Sequence, residues 1–181
     1  MKFNVAQLLK DPVGSTREYP LDEPLEAPGE PPQPVSGQVR LLHTNRGILA
    51  RGQVTTWMEC TCSRCLTVYS QELQVHLEEE FFPIIDVNAG VPVPFPSGET
   101  ELFTIDEHHI LDLTEALWQD SFLALPMKPL CRADCAGLCP GCGHNLNQGP
   151  CQCQGARRDS RWEALGSWAE AGGSGQTKER G

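Results

Sequence analysis

A run of alternating apolar and polar positions between Val35 and Leu77 dominates the chain. Val35, Gly37, Val39 and Leu41 alternate with Ser36, Gln38, Arg40 and Leu42. After the turn signal Thr44-Asn45-Arg46-Gly47 the alternation resumes at Ile48, Ala50, Gly52, Val54 and Thr56. A period of two marks a strand with one buried face, and small or β-branched apolar residues suit it. The pattern predicts a two-stranded hairpin. A third strand follows, with Tyr69, Gln71, Leu73, Val75 and Leu77 as its core face and Val68, Ser70, Glu72, Gln74 and His76 opposite. Cys62-Ser63-Arg64-Cys65 then falls in the tight reversal between two antiparallel strands. Phe103-Thr104-Ile105 reads as one further short strand.

Helical spacing is rarer. Asp112-Leu113-Thr114-Glu115 has the form of a capping box, in which Asp112 accepts from the amide three residues on and Glu115 reaches back. Leu113, Ala116, Leu117, Ala124 and Leu125 then share a stripe flanked by Trp118 and Phe122, and Pro126 ends the helix. That stripe is predicted to cover one face of the sheet. Phe3 to Lys10 predicts a short helix with Val5, Leu8 and Leu9 on one side, and Trp162, Leu165 and Trp168 predict another that docks on the domain. From Tyr19 to Pro34 there are six prolines and four acids, which read as an extended, solvated connector. Asp86 to Gly98 reads as a surface loop and 171–181 as a disordered tail.

These elements predict an α+β fold: a mostly antiparallel β-sheet with a covering helix and a C-terminal Cys-rich, zinc-binding module. The expected division is an N-terminal segment and connector (1–34), a sheet-and-helix core (35–130), a metal module with a short helix (131–170), and the tail (171–181).

Charge narrows the range of partners. The formal net charge is -10, which argues against autonomous, phosphate-driven duplex binding. Between Cys65 and Met127 there are twelve acids and no Lys or Arg, whereas from Lys128 onward seven bases face five acids. The N-terminus shows neither a long apolar core nor a small-residue cleavage site, and no window approaches the roughly 20 apolar residues of a membrane span. The expected location is the cytoplasm, with no membrane partner. Thiols stay reduced there, so closely spaced cysteines read as metal ligands or redox centres before disulfides.

Six of the nine cysteines lie in CRADCAGLCPGCGHNLNQGPCQC, residues 131–153. In Cys139-Pro-Gly-Cys142-Gly two thiols sit two residues apart in a loop that Gly141 and Gly143 keep pliable, so backbone amides can also donate to sulfur. Cys151 and Cys153 can complete a four-thiolate set with Cys139 and Cys142. Cys131 and Cys135 can then join Cys62 and Cys65 in a second set, leaving Cys60 over. A competing arrangement puts Cys135, Cys139 and Cys142 with one late cysteine in a single site, and spacing leaves both open. The predicted cofactor is structural Zn2+, one or two ions. A thiol-redox enzyme needs its Cys-x-x-Cys at a helix N-terminus, and neither pair has that setting. Hydrolytic zinc takes His or carboxylate ligands and an open position. His144 is the one histidine of the module, read as non-ligating, and His108-His109 reads as exposed loop. Phosphate loops, nucleophile elbows and HExxH are absent, so the expectation is a protein that is not an enzyme and has no small-molecule substrate. A thiol-redox or metal-handling protein and a zinc-ribbon regulator are the rival readings.

CSRCL at Cys62–Leu66, DLTEALWQDSFLALP, the 131–153 module, the opening QLLKDPVGSTREY and the late RDSRWEALGSW occur in an order that resembles the bacterial YceD family. That family is described as large-subunit ribosomal RNA accumulation proteins. The resemblance implies a role in ribosome biogenesis, in synthesis, processing or stability of 23S ribosomal RNA. The partners would be ribosomal RNA or a ribosomal or ribosome-assembly protein. On that reading the cationic end, with Arg132, Arg157, Arg158 and Arg161, is the candidate RNA contact, and the acidic 65–127 stretch the candidate contact for a basic protein.

Overall fold

The computed structural model of the chain describes residues 1–26, 31–94 and 102–153. The tail, the predicted 157–169 helix, and Arg157, Arg158 and Arg161 lie outside the described residues. The elements in chain order are β1 (Lys2–Asn4), α1 (Ala6–Lys10), β2 (Thr16–Leu21), β3 (Val35–His43), β4 (Ile48–Thr61), β5 (Val68–Pro83), β6 (Phe103–Ile105), β7 (Ile110–Asp112) and α2 (Thr114–Leu123). The strands form one seven-stranded sheet in the order β1-β7-β6-β5-β4-β3-β2.

The long alternation becomes the β3–β4–β5 meander. Val35 pairs with Thr56 and His43 with Ile48, and Thr61 pairs with Val68. Odd positions of β3 and β5 and even positions of β4 face inward: Val39, Leu41, Ile48, Ala50, Val54, Leu73, Val75, Leu77 and Phe81 are all buried. On the outer face Glu18, Arg40, Arg51 and Glu78 stand in one cross-strand row. Arg40 bonds Glu18, and Arg51 bonds Glu78. Each Glu offsets the repulsion between two arginines set directly opposite each other.

The sheet is mixed. β5 and β6 run parallel, and the other pairings are antiparallel. It also curls, because Phe3 of one edge strand and Tyr19 of the other have ring centroids 4.9 Å apart. Tight coiling demands close backbone approach at Gly37 and Gly52. A Cβ on Gly37 would lie 2.3 Å from the carbonyl oxygen of Gln53, and one on Gly52 would lie 2.5 Å from that of Gln38.

Two expectations change. The stretch read as a solvated connector begins inside the sheet, where β2 pairs with β3 through Thr16–Leu21. Pro20 is tolerated because β2 is an edge strand, and Leu21 and Leu25 are anchored in the core. The capping box does not form. Asp112 Oδ1 instead accepts from the amide of Thr114 at 3.0 Å and from its hydroxyl at 2.6 Å, while Glu115 accepts from Gln119. The helix still packs on β5, burying Leu113, Ala116, Leu117 and Ser121, and Ala124 and Leu125 lie partly buried against the core. Val5, Leu8 and Leu9 of the short first helix and its entry are buried, as their spacing predicts.

Candidate metal centres

The inward phase of β4 runs through Met58 and Cys60 and continues to Cys62, which is fully buried just past the strand end. The reversal that follows is closed by two backbone bonds, Leu66 N to Cys62 O and Cys62 N to Thr67 O, both 3.0 Å. It places Leu66 at a φ of 58°. The reversal thereby turns Cys65 to the same side as Cys62. After α2 the chain returns along this knuckle, and the Ser63 amide donates to Pro129 O at 2.8 Å. Leu130 packs on the buried thiols, and Cys131 and Cys135 arrive beside them.

The result is a group of four, Cys62, Cys65, Cys131 and Cys135, whose paired sulfurs are 66 and 73 residues apart in sequence. Cys62 Sγ lies 3.8 Å from Cys135 Sγ, and Cys65 Sγ 3.6 Å from Cys131 Sγ. A second group holds Cys139, Cys142, Cys151 and Cys153. There Cys139 lies 3.4 Å from Cys153 and 3.3 Å from Cys151. In each group all four sulfurs lie within 4.8 Å of one another. Zn–S bonds of about 2.3 Å in a tetrahedron put sulfurs about 3.8 Å apart, whereas a disulfide needs about 2.05 Å. The spacing therefore suits one ion per group, and all nine cysteines are free. Cys135 stands apart from Cys139 and Cys142, and Cys60 belongs to neither group.

Local chemistry prepares the sulfurs. The Gly141 amide donates to Cys139 Sγ at 3.4 Å. Backbone amides of Gly141 and Cys142 lower the Cys139 thiol to about 6. Amides of Cys131 and Cys65 lower Cys62 to about 6. Thr67 lowers Cys65. Their partners move the other way: burial pushes Cys131 up to about 12, and hydrogen bonding with Cys139 and Cys153 pushes Cys151 up to about 12. At least one thiolate is favoured in each group, and further ones meet its negative charge in a confined space. A divalent cation held among the four sulfurs would relieve that repulsion. The two groups differ in exposure: Cys62, Cys65 and Cys135 are buried, whereas Cys142 is exposed.

Residues beyond the cysteines also serve the site. Arg64 Nη1 donates to Cys135 O at 2.9 Å, and Thr67 Oγ1 lies 3.4 Å from Cys65 Sγ. Asn147 Nδ2 donates to Cys135 Sγ at 3.3 Å. Sequence reasoning gave these no role; the usable signal was a pair of amide side chains inside a cysteine-closed loop, since amides donate well to sulfur. Arg132 is exposed, with its guanidinium on Asn147 Oδ1 at 2.7 Å and beside Asp134 at 3.4 Å. His144 is exposed and outside both groups; its carbonyl accepts from the Cys139 amide.

Residues 50–167, a span that includes both thiol groups, match the family described as "Large ribosomal RNA subunit accumulation protein YceD". The chain belongs to the YceD family. Among relatives, the uncharacterized protein Rv2926c of Mycobacterium tuberculosis (strain ATCC 25618 / H37Rv) is 30% identical over 136 residues, which is 70% of this chain and 58% of that protein. The uncharacterized protein ML1660 of Mycobacterium leprae (strain TN) is 30% identical over 119 residues, 62% of this chain and 49% of that protein. The chain thus spans 49% to 58% of the length of these relatives. No solved structure matches it. No helix among the described residues is long and apolar enough to cross a membrane.

Proposed function

We propose that this protein is a non-enzymatic ribosome-biogenesis factor that supports synthesis, processing or stability of 23S ribosomal RNA, with two structural zinc ions. The observation that carries the reading is the family match across residues 50–167, because the family is described by large ribosomal RNA accumulation. Four thiolates without His, carboxylate or an open position suit a closed, structural ion. Cys62, Cys65, Cys131 and Cys135 would hold one ion, fastening the returning chain to the knuckle, and Cys139, Cys142, Cys151 and Cys153 the other. Burial of Cys62 and Cys65 supports a structural over a thiol-redox role, since an exchanging disulfide must reach the attacking sulfur. The partners are ribosomal RNA itself, through Arg132, Arg157, Arg158 and Arg161, or a basic ribosomal or assembly protein facing the acidic 65–127 stretch. The proposed location is the cytoplasm.

The test is purification of the tagged full chain from growing cells, with quantification of the ribosomal RNA that accompanies it. The reading expects large-subunit RNA and its precursors to be enriched over small-subunit RNA. Equal recovery of both, or of neither, would overturn it. Direct RNA contact shows as steep weakening with salt and loss on Arg157→Ala with Arg158→Ala, whereas a protein-mediated contact survives RNase.

A further inference from the structure

We propose that Asn145 and Asn147 couple the two thiol groups, so that a metal ion in the late group raises the affinity of the early one. The inference rests on reading both groups as metal centres. The loop between Cys142 and Cys151 is closed by the late group, yet its tip is turned onto the early group. That tip is a short helical turn, Leu146–Gln148, in which Asn145 Oδ1 accepts from the Asn147 amide at 3.0 Å. Asn147 Nδ2 donates to Cys135 Sγ at 3.3 Å. Its Oδ1 accepts from the Ala136 amide at 2.8 Å and from Arg132 Nη2 at 2.7 Å, so one side chain grips the backbone and side chain on both flanks of Cys135. Asn145 Nδ2 donates to Thr67 Oγ1 at 3.3 Å, and Cys65 Sγ lies 3.4 Å from that same hydroxyl oxygen. Backbone zips the rest: Leu146 N donates to Gly137 O at 2.9 Å, and Leu138 bridges to Asn145.

One early sulfur, Cys135, therefore takes a donor directly from a loop that the late group closes, and Cys65 touches a knuckle hydroxyl, Thr67 Oγ1, that the same loop holds. With the late group empty of metal the loop is held by its hydrogen bonds alone, and ordering it costs more entropy each time the early group is assembled. With the late ion in place that cost is already met, and the amide donors stand ready. By linkage, an ion in the early group tightens the late one by the same factor. Asn is suited to position 147 because its amide donates to sulfur and accepts from backbone at once. A carboxylate there would repel the thiolates.

The test uses Co2+ as probe on the full chain, with chelator competition and the thiolate-to-cobalt absorption bands. The variants are wild type, Cys142→Ser with Cys151→Ser, Asn147→Ala, and the combination. Disabling the late group should weaken cobalt binding at the early group by about tenfold or more, the scale of outer-contact losses at metal sites. Asn147→Ala should weaken it in the wild-type background but add little once the late group is disabled. It should also move the early group's band to longer wavelength, because a sulfur without its N–H donor gives up charge more easily; a merely loosened segment would not shift the band. Amide exchange at Val54 and Val75 reports that the sheet is folded in each variant. Equal early-group affinity with and without the late group, or an equal effect of Asn147→Ala in both backgrounds, would overturn the coupling while leaving both metal centres standing. Failure of either group to take cobalt in the wild type would overturn the metal reading as well.

Discussion

Chelation should release the segment after Pro129 and leave the sheet folded. Besides the weak thiol–thiol contacts, in the absence of metal three hydrogen bonds among the described residues join that segment to the knuckle: Ser63 N to Pro129 O, Arg64 Nη1 to Cys135 O, and Asn145 Nδ2 to Thr67 Oγ1. At about 1 kcal/mol net each they contribute about 3 kcal/mol. Leu130 and Leu138 are only partly buried, and each adds at most about 2 kcal/mol. Ordering roughly 20 residues of backbone costs about 1 kcal/mol per residue or more, so these contacts fall well short. A structural zinc site contributes about 10–16 kcal/mol in small peptides, and two such sites reverse the balance. The sheet has no such dependence, because its core is the apolar interior of the meander with Ile105, Leu111 and α2. Hydrogen exchange of the full chain, with and without a strong chelator, separates the two. The Cys139 and Leu146 amides should exchange at rates near those of an open chain once metal is removed, a loss of a hundredfold or more in protection. The amides of Val39, Val54 and Val75 should keep theirs. Unchanged protection at Cys139 and Leu146 after complete metal removal would refute the reasoning.

Other perturbations have defined signs. Gly52→Ala sets a Cβ against main-chain atoms, the Gln38 oxygen at 2.5 Å and Val39 Cα at 3.2 Å, so thermal unfolding should show a loss of about 1–3 kcal/mol. Phe81→Ala removes a ring that is 1% exposed and stacked near Phe103, and denaturant titration should register a loss of about 3–5 kcal/mol. Burial works against the Asp112 carboxylate, but the Thr114 hydroxyl and amide and the amino group of Met1 outweigh it and lower its pKa. Its stabilisation is therefore present above pH about 4 and lost as pH falls through the folded value, so Asp112→Asn should destabilise at pH 7 and flatten the acid limb of the stability curve. Asp120 has the opposite sign: burial raises its pKa, and its Oδ2 has no hydrogen-bond partner among the described residues. Asp120→Asn should raise the melting temperature at pH 7 and leave it unchanged at pH 3, below the unfolded value.

The parts of the fold that were legible in the sequence are those where one face is buried over many residues. β3, β4 and the inward face of β5 repeat a period of two for long enough to set phase, and that phase also turns Cys62 inward. β1 and β7 span three residues each, too few for any period to show. β2 hides behind Pro20, and only its place at the sheet edge makes that proline acceptable. Asp112 carried a capping signal, but its hydroxyl neighbour Thr114 competed for the same oxygen. The eight metal-candidate cysteines were legible as residues. Their grouping was legible only as one of two open arrangements, since Cys65 and Cys131 meet only because α2 returns the chain to the knuckle. Asn145 and Asn147 could be noticed as amides inside a cysteine-closed loop, but their partners could not, because Thr67 lies across the same return and Cys135 belongs to the other group.

The role in large-subunit RNA is tested most directly by depleting the protein and following 23S and 16S ribosomal RNA separately. The account predicts that 23S falls relative to 16S and that wild-type chain restores the ratio. Chain carrying Cys62→Ser and Cys65→Ser should restore it poorly, because the knuckle no longer holds the returning segment. A 23S to 16S ratio that stays constant through depletion would contradict the proposed function.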